Sequence, residues 1–351
     1  MYKQRMQQKV DNIKTQKNII VLAIETSCDE TSIAVVKNGR EVLSNVVSSQ
    51  INIHKRFGGV VPEVASRNHT MAIVNVLDEA LHQANLTIKQ IDAIAVTYGA
   101  GLIGALMVGV NFAKGLAYIN DLPLIAVNHI KGHIAASYLA FNELTPPFIC
   151  LVTSGGHTAI LKVDDYLNHT LIGTTLDDAV GEAYDKVARI LGLGYPGGPA
   201  IDKLAKEGEP NIKFTSRDKL AKTFNFSYSG LKTAVINYAH KLKQKNIQLP
   251  INDICASFQV AAIDVLVEKA IKAAKIQKLK KIVLAGGVAA NSYFRKRIDA
   301  RCLEEGIQAY YPPRSMCTDN AAMIGSQAYY SLINGKDLAD LNLTPKPNLP
   351  L

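Results

Sequence analysis

Apolar and polar positions fall into blocks along this 351-residue chain, and the order of the blocks repeats. Ile19–Ile24 is a short continuous apolar run, the pattern of a strand buried on both faces. A polar turn follows, Glu25-Thr26-Ser27-Cys28-Asp29-Glu30-Thr31, and then a second strand, Ser32–Val36. Asn38-Gly39 is a strong hairpin signal, and Glu41–Val47 reads as a third strand. Pro62 opens a helix to about Gln83, with Val64, Met71, Val74, Leu77 and Leu81 at helical spacing. The strand Ile91–Val96 leads through a glycine-rich loop into a helix containing Met107, Val110 and Leu116. Leu124–Val127 is a further strand ending at Asn128, and Pro146-Pro147 marks a boundary.

The second half restarts in the same way. Phe148–Val152 is an apolar strand, Thr153-Ser154-Gly155-Gly156-His157 a polar turn, and Thr158–Val163 the returning strand. A strand near His169–Gly173 precedes a helix from Asp177 to about Leu191, and Gly192–Pro199 is dense in glycine and proline. Helices near Ser229–Lys243 and Asp253–Lys275 follow, then the strand Ile282–Ala285, Gly286-Gly287-Val288 and a helix from about Ala290. A strand near Gln308–Tyr311, the loop Pro312–Thr318 and a helix from Asp319 close the pattern. This repetition predicts a duplicated α/β domain with a cleft between the halves. Strand-to-helix turns that offer backbone N–H groups suit a phosphate or a nucleotide.

Composition narrows the class. Apolar residues make up 48% and charged residues 20%, ordinary for a globular protein. No apolar run reaches the roughly 20 residues that span a bilayer, and Lys3, Arg5 and Lys9 lead into polar residues instead of a signal-peptide core. A cytoplasmic protein without a membrane partner is expected. Cys28, Cys150, Cys255, Cys302 and Cys317 form no C-x-x-C pair, which fits reduced thiols and excludes a zinc ribbon. The net charge is +9, with five basic residues and Asp11 in residues 1–18 and a lysine concentration at Lys269, Lys272, Lys275, Lys278, Lys280 and Lys281. That balance permits a polyanion such as RNA, while on charge alone a solvated helix face is the favoured explanation of the lysines.

Candidate chemistry centres on His129-Ile130-Lys131-Gly132-His133. Histidines at i and i+4 lie one turn apart on one helix face, where both imidazoles can reach a single ion. The same spacing also arises by chance on a helix surface, and spacing alone leaves both readings open. The pattern is close to the metalloprotease H-E-x-x-H, but Ile130 stands where the general base belongs, so the protease reading lacks its base. Gly99-Ala100-Gly101-Leu102-Ile103-Gly104 fits G-x-G-x-x-G, yet Asp121 precedes the next strand instead of closing it, which argues against NAD and for tight helix packing. Ser154-Gly155-Gly156-His157 is no nucleophile elbow; its N–H groups suit an anion or a carbonyl oxygen. Asp177, Asp178, Glu182 and Asp185 form an acidic cluster at a helix start, partly dipole compensation, with Asp185 the better ligand-binding candidate.

Taken in order, Glu25 to Thr31, His129-x-x-x-His133, Thr153 to His157, Gly194-Tyr195-Pro196-Gly197-Gly198-Pro199, Phe226-Ser227-Tyr228-Ser229-Gly230-Leu231-Lys232-Thr233, Gly286-Gly287-Val288-Ala289-Ala290-Asn291 and Cys317-Thr318-Asp319-Asn320-Ala321-Ala322 resemble the TsaD family. The resemblance runs from about Ile19 to Leu332 and departs at Ala100, where the family usually has proline. It implies a pair of ribonuclease H-like domains of the actin and sugar-kinase (ASKHA) type with an interdomain cleft. The first would span 19–146, completed by a C-terminal helix at 319–335, and the second 147–318, with a basic tail at 1–18 and another tail at 336–351.

The resemblance further implies transfer of threonylcarbamoyl from threonylcarbamoyl-AMP to N6 of the tRNA adenosine next to the anticodon, with TsaB and TsaE as protein partners. By the same resemblance the metal ligands are His129, His133 and Asp319, holding one divalent ion, Fe(II) or else zinc. Substrate-binding positions are Val152, Thr153, Ser154, Gly155, Gly156, Asp185, Gly198, Asp202 and Asn291. Glu30 and His157 are the candidates for a general base. Two alternatives stand beside the transferase: a metallo-glycoprotease, and an actin-type nucleotide-binding assembly protein with a structural metal.

Overall fold

The computed structural model describes residues 2–214, 220 and 222–350; Met1 and Leu351, the ends of the two expected tails, lie outside these. The chain divides into two compact units, Met1–Thr145 with Thr318–Leu351, and Pro146–Cys317.

The first unit opens with α1 (Tyr2–Ile13), then β1 (Ile20–Glu25), β2 (Glu30–Lys37) and β3 (Glu41–Ser49). Asn38 and Gly39 make the turn between β2 and β3 with φ of 52° and 67°. Left-handed values at both central residues match the right-handed twist of a tight hairpin. A short α2 (Ile51–His54) leads to α3 (Pro62–Gln83), β4 (Ala93–Gly99), α4 (Ile103–Ile119), β5 (Leu124–Asn128) and α5 (His129–Ala140). The second unit runs β6 (Phe148–Thr153), β7 (Thr158–Val163), β8 (His169–Thr174), α6 (Val180–Ile190), α7 (Gly197–Ala205), α8 (Ser229–Gln244) and α9 (Ile251–Ile276), then β9 (Lys281–Ala285), α10 (Ser292–Glu305) and β10 (Gln308–Tyr310). The chain returns to the first unit as α11 (Ala321–Ile333).

The first sheet has the order β3-β2-β1-β4-β5 and the second β10-β9-β6-β7-β8. In each, the first three strands are antiparallel neighbours, and the last two pair parallel outward from the first. The two units thus share one strand order and one polarity, as a duplication requires. Parallel strands need cover on both faces. In the first unit Leu22 and Ile24 pack with Ile73, Val76 and Val110 of α3 and α4. Val21 and Ala23, pointing the other way, pack with Met6, Val10, Ile324 and Ala328 of α1 and α11. In the second unit Ile149, Leu151, Ile282 and Leu284 pack with Val187, Phe258 and Phe294. Among the described residues no helix is long and apolar enough to cross a membrane.

Several local expectations change. Residues 2–13, expected as a basic tail, are a helix with Met6, Val10 and Ile13 buried, because a narrow apolar stripe runs through the polar sequence. In α3 the length is as expected but the face is not: Met71 and Val74 are exposed, and Ala65, His69, Ile73, Val76, Leu77 and Ala80 are buried. α6 starts at Val180, after Asp177 and Asp178. The C-terminal segment lies along the first sheet: Ala126 N–H donates to Asp337 O, Lys346 N–H to Tyr98 O, and Gly101 N–H to Pro347 O. A Cβ on Gly99 would lie 2.2 Å from Lys346 O and one on Gly101 2.6 Å from Ser27 O. The G-x-G-x-x-G glycines therefore admit backbone from two directions. Lys269 is buried and donates to the Leu220 and Asn225 carbonyls, so it adds nothing to a basic surface.

Candidate functional site

In the first unit, the metal candidates come from α5 and the turn before α11. Asn128 caps α5, its side chain accepting from Ile130 N–H at 2.9 Å, so the helix starts at His129. The first turn therefore faces the carboxyl ends of the parallel strands, where α/β sheets place their chemistry. Asn320 caps α11 and leaves Asp319 just ahead of it. Among the described residues, His129, His133 and Asp319 each offer a ligand atom within 4.8 Å of the others. Asp319 Oδ1 lies 3.2 Å from His133 Nε2 and 3.6 Å from His129 Nε2. Gly132 lets the two helices meet, since a Cβ there would lie 2.6 Å from Ile324 Cδ1. Ile130, at the protease's base position, is buried.

The donor set fits a divalent cation. Both ring nitrogens of His133 are buried, and among the described residues neither has an aligned hydrogen-bond partner. The electrostatics agree. Burial pulls His129 down, but Asp319 and Glu25 outweigh it and raise its pKa to about 9. Burial alone would push Glu25 up, yet His129 and Thr97 hold it below the usual carboxylate value. Glu30 is pushed up to about 10 by burial, then by Asp319 and Asp29. Asp319 thus raises both His129 and Glu30, a crowding of negative charge that a metal ion relieves.

In the second unit, the substrate candidates gather at the carboxyl ends of β6 and β9 and the starts of three helices. Val152 and Thr153 end β6, and Thr153 Oγ1 donates to Ala285 O of β9 at 3.3 Å. Ser154 N–H donates to His157 O, and His157 N–H donates to Ser154 Oγ, closing the turn. Space lies open beside Gly155, Gly156 and Gly198, where an added Cβ would meet nothing within 4 Å. Asp185 Oδ1 accepts the Gly197 N–H that starts α7, at 2.7 Å. Asp202 accepts from Ser292 Oγ at 2.8 Å and from Ser292 N–H at 3.2 Å. Asn291 caps α10 through Phe294 N–H at 2.9 Å and donates Nδ2 to Gln259 Oε1 at 2.7 Å. Asp185, Asp202 and Asn291 thus fix helix starts relative to one another.

Elsewhere the structure separates what the sequence groups. Asp177 accepts from Ser227 Oγ and from the Tyr228 and Ser229 N–H groups, which ties down the start of α8. Asp178 pairs with Lys186 and Lys232. Glu30 accepts from Ser49 Oγ at 3.2 Å, on the strand pair β2–β3. Sequence reasoning missed Glu25, Thr97 and Gln259 as site residues. The apolar run Ile19–Ile24 put Glu25 at the start of the polar turn, but only the strand order shows that Thr97 and His129 end beside it.

Two units with one sheet order, both faces of the parallel strands covered, define a doubled α/β protein of the ribonuclease H-like, actin and sugar-kinase class, with a two-histidine, one-carboxylate cluster in the first unit. Solved structures share this fold. Component A of the (R)-2-hydroxyglutaryl-CoA dehydratase of Acidaminococcus fermentans is 15% identical with a TM-score of 0.55, covering 90% of this chain and 99% of that one. HypF of T. kodakarensis is 16% identical with a TM-score of 0.58, covering 90% of this chain and 48% of that one. The likeness is one of fold alone. The family described as TsaD, tRNA N6-adenosine threonylcarbamoyltransferase, matches over residues 41–326. The tRNA N6-adenosine threonylcarbamoyltransferase of Clostridium perfringens (strain 13) is 56% identical over 333 residues, 95% of this chain and 98% of the relative. That of Clostridium botulinum (strain Hall) is 54% identical over 337 residues, 96% and 99%. The chain belongs to the TsaD family.

Proposed function

We propose that this chain is a metal-dependent transferase that moves the threonylcarbamoyl group from threonylcarbamoyl-AMP to N6 of the adenosine next to the anticodon in tRNAs reading codons that begin with A. The observation that carries the reading is the meeting of His129, His133 and Asp319 in a member of the TsaD family. In the reaction the exocyclic N6 attacks the carbamoyl carbon and forms the new C–N bond. The bond from that carbon to the phosphate oxygen breaks, AMP leaves with the oxygen, and N6 gives up one proton.

His129, His133 and Asp319 would hold one divalent ion, which would supply Lewis-acid polarisation of the donor's carbonyl oxygen; two histidines and a carboxylate suit Fe(II) and tolerate zinc. The open turn at Ser154 to Gly156 offers backbone N–H groups to the nucleotide part, with Val152 and Thr153 as its rigid base. Asp185, Asp202 and Asn291 hold the starts of α7 and α10, and Gly198 leaves room for a ligand to approach backbone. These second-unit residues orient the nucleotide part so that AMP is the leaving group. Glu30 and His157 are the candidates for taking the N6 proton; the raised pKa of Glu30 favours His157 of the two. Exposed lysines meet the tRNA backbone. TsaB and TsaE are the protein partners, and the work is done in the cytoplasm.

Incubation of the purified chain with tRNA, threonine, bicarbonate, ATP and the pathway proteins, followed by nucleoside mass spectrometry, tests this. Modified adenosine is expected with the wild type and not with His129→Ala. No product with active partners rules out the transferase, and equal product from His129→Ala rules out the metal role.

A further inference from the structure

Glu25 is wholly buried at the end of β1, where a carboxylate is tolerated only if its oxygens are matched. Ser27 N–H donates to Oε1 at 2.5 Å and Thr97 Oγ1 donates to Oε2 at 2.6 Å. His129 Nδ1 lies 3.0 Å from the same Oε2, and Ser27 Oγ 3.1 Å from that Nδ1. The groups meet because β1 and β4 are parallel neighbours and β5, next to β4, runs directly into α5.

Both Glu25 oxygens already serve as acceptors, for Ser27 N–H and Thr97 Oγ1, so Nδ1 is the nitrogen that keeps its proton when His129 gives one up to bind an ion. The lone pair left to the imidazole is then on Nε2, the atom 3.6 Å from Asp319 Oδ1. We infer that Glu25 is a positioning residue: it fixes the tautomer and ring angle of His129 so that Nε2 is presented as a ligand, with Thr97 and Ser27 fixing Glu25 in turn. The inference rests on the metal-site reading given above. A carboxylate behind a ligating histidine also strengthens the imidazole as a donor, and losing such a partner costs about 10–100-fold in metal affinity.

Chelator-stripped wild type, Glu25→Gln, Thr97→Val and His129→Ala are titrated with Co(II), read by its visible spectrum, with melting curves as the control for folding. Glu25→Gln is expected to bind about 10–100-fold more weakly than wild type. Thr97→Val should shift in the same direction by less, and His129→Ala furthest. Wild-type affinity in folded Glu25→Gln overturns the positioning role and leaves the metal reading intact. Equal affinity in wild type and His129→Ala overturns both. Nitrogen NMR of zinc-loaded wild type labelled at histidine decides the matter without any variant. A proton on Nδ1 of His129 is expected, and a proton on Nε2 overturns the inference.

Discussion

Gly132 of α5 and Ile324 of α11 set the spacing between the two histidines and Asp319. A Cβ on Gly132 would lie 2.6 Å from Ile324 Cδ1, nearer than side-chain carbons approach one another. Gly132 sits on the helix between His129 and His133, and Ile324 lies one turn into the helix that follows Asp319. The contact therefore acts on the distance from α5 to the carboxylate.

Gly132→Val is expected to weaken metal binding by pushing α5 away from Asp319. Gly132→Ala should do so less, because the Ile324 methyl is the free end of a side chain that can turn. Ile324→Val, placed with Gly132→Ala, removes the clashing methyl and should restore affinity. Co(II) titration of wild type, Gly132→Ala, Ile324→Val and the double variant measures this as a coupling between neighbours. Additive effects in the double variant would show that this contact does not set the spacing.

Asn291 has two separable tasks, and one substitution set divides them. Asn291→Ala removes the cap of α10 and should cost about 1 kcal/mol in unfolding experiments. Asn291→Ser keeps an oxygen for Phe294 N–H and should recover most of that stability, but it cannot reach Gln259 as the amide does. If Asn291 belongs to the substrate site, both variants lose nucleotide affinity, read by calorimetry with AMP, whereas metal content stays at the wild-type level. Wild-type affinity in Asn291→Ser would remove Asn291 from the substrate set.

These residues also show what the sequence could reveal. Strand positions were legible because β1, β4, β6 and β9 each contain at least four apolar residues in succession, and the duplication was legible because both halves begin with strand, polar turn and strand. The i, i+4 histidines were legible as a pair. Asp319 was not legible from spacing, since its meeting with His133 depends on α11 returning to the first unit after the whole second unit. α1 escaped notice because three buried residues, Met6, Val10 and Ile13, are spread among polar ones. The α3 face was misread because Met71 and Val74 look like core by type, while alanines and a histidine fill the contact; His69 is buried there against Thr31 Oγ1 at 2.7 Å.

Asp178 gives the second unit a pH dependence. Burial would raise its pKa, but Lys186 and Lys232 outweigh this and hold it below the usual carboxylate value. Hydrogen bonds from Ser227, Tyr228 and Ser229 do the same for Asp177. A carboxyl with a depressed folded pKa contributes stability above its unfolded value, about 3.9, and loses it as pH falls through the folded value. Asp178→Asn should therefore be less stable than wild type at neutral pH, by about 1 kcal/mol once the partial exposure of the lysines is allowed for. The difference should shrink and disappear as pH falls through the depressed folded-state value. Urea denaturation at several pH values measures it; a constant difference down to the lowest pH would show that packing, not charge, is what the variant loses.

Met6 ties α1 to the first unit. Its side chain is fully buried in the cluster that also holds Val21, Ala23, Ile324 and Ala328, and Lys9 Nζ donates to Asp121 at the end of α4. Removing a buried methionine side chain costs the lost transfer energy plus a cavity, about 2–5 kcal/mol. Met6→Ala is expected to shift the first unit's denaturation transition by that amount, whereas Gln8→Ala, on the exposed face of the same helix, should leave it in place. Because Ile324 also lines the cluster, the loss should propagate to α11. Metal should therefore leave Met6→Ala at a lower denaturant concentration than it leaves wild type. A Met6→Ala protein with wild-type stability would mean that α1 contributes nothing to the unit it covers.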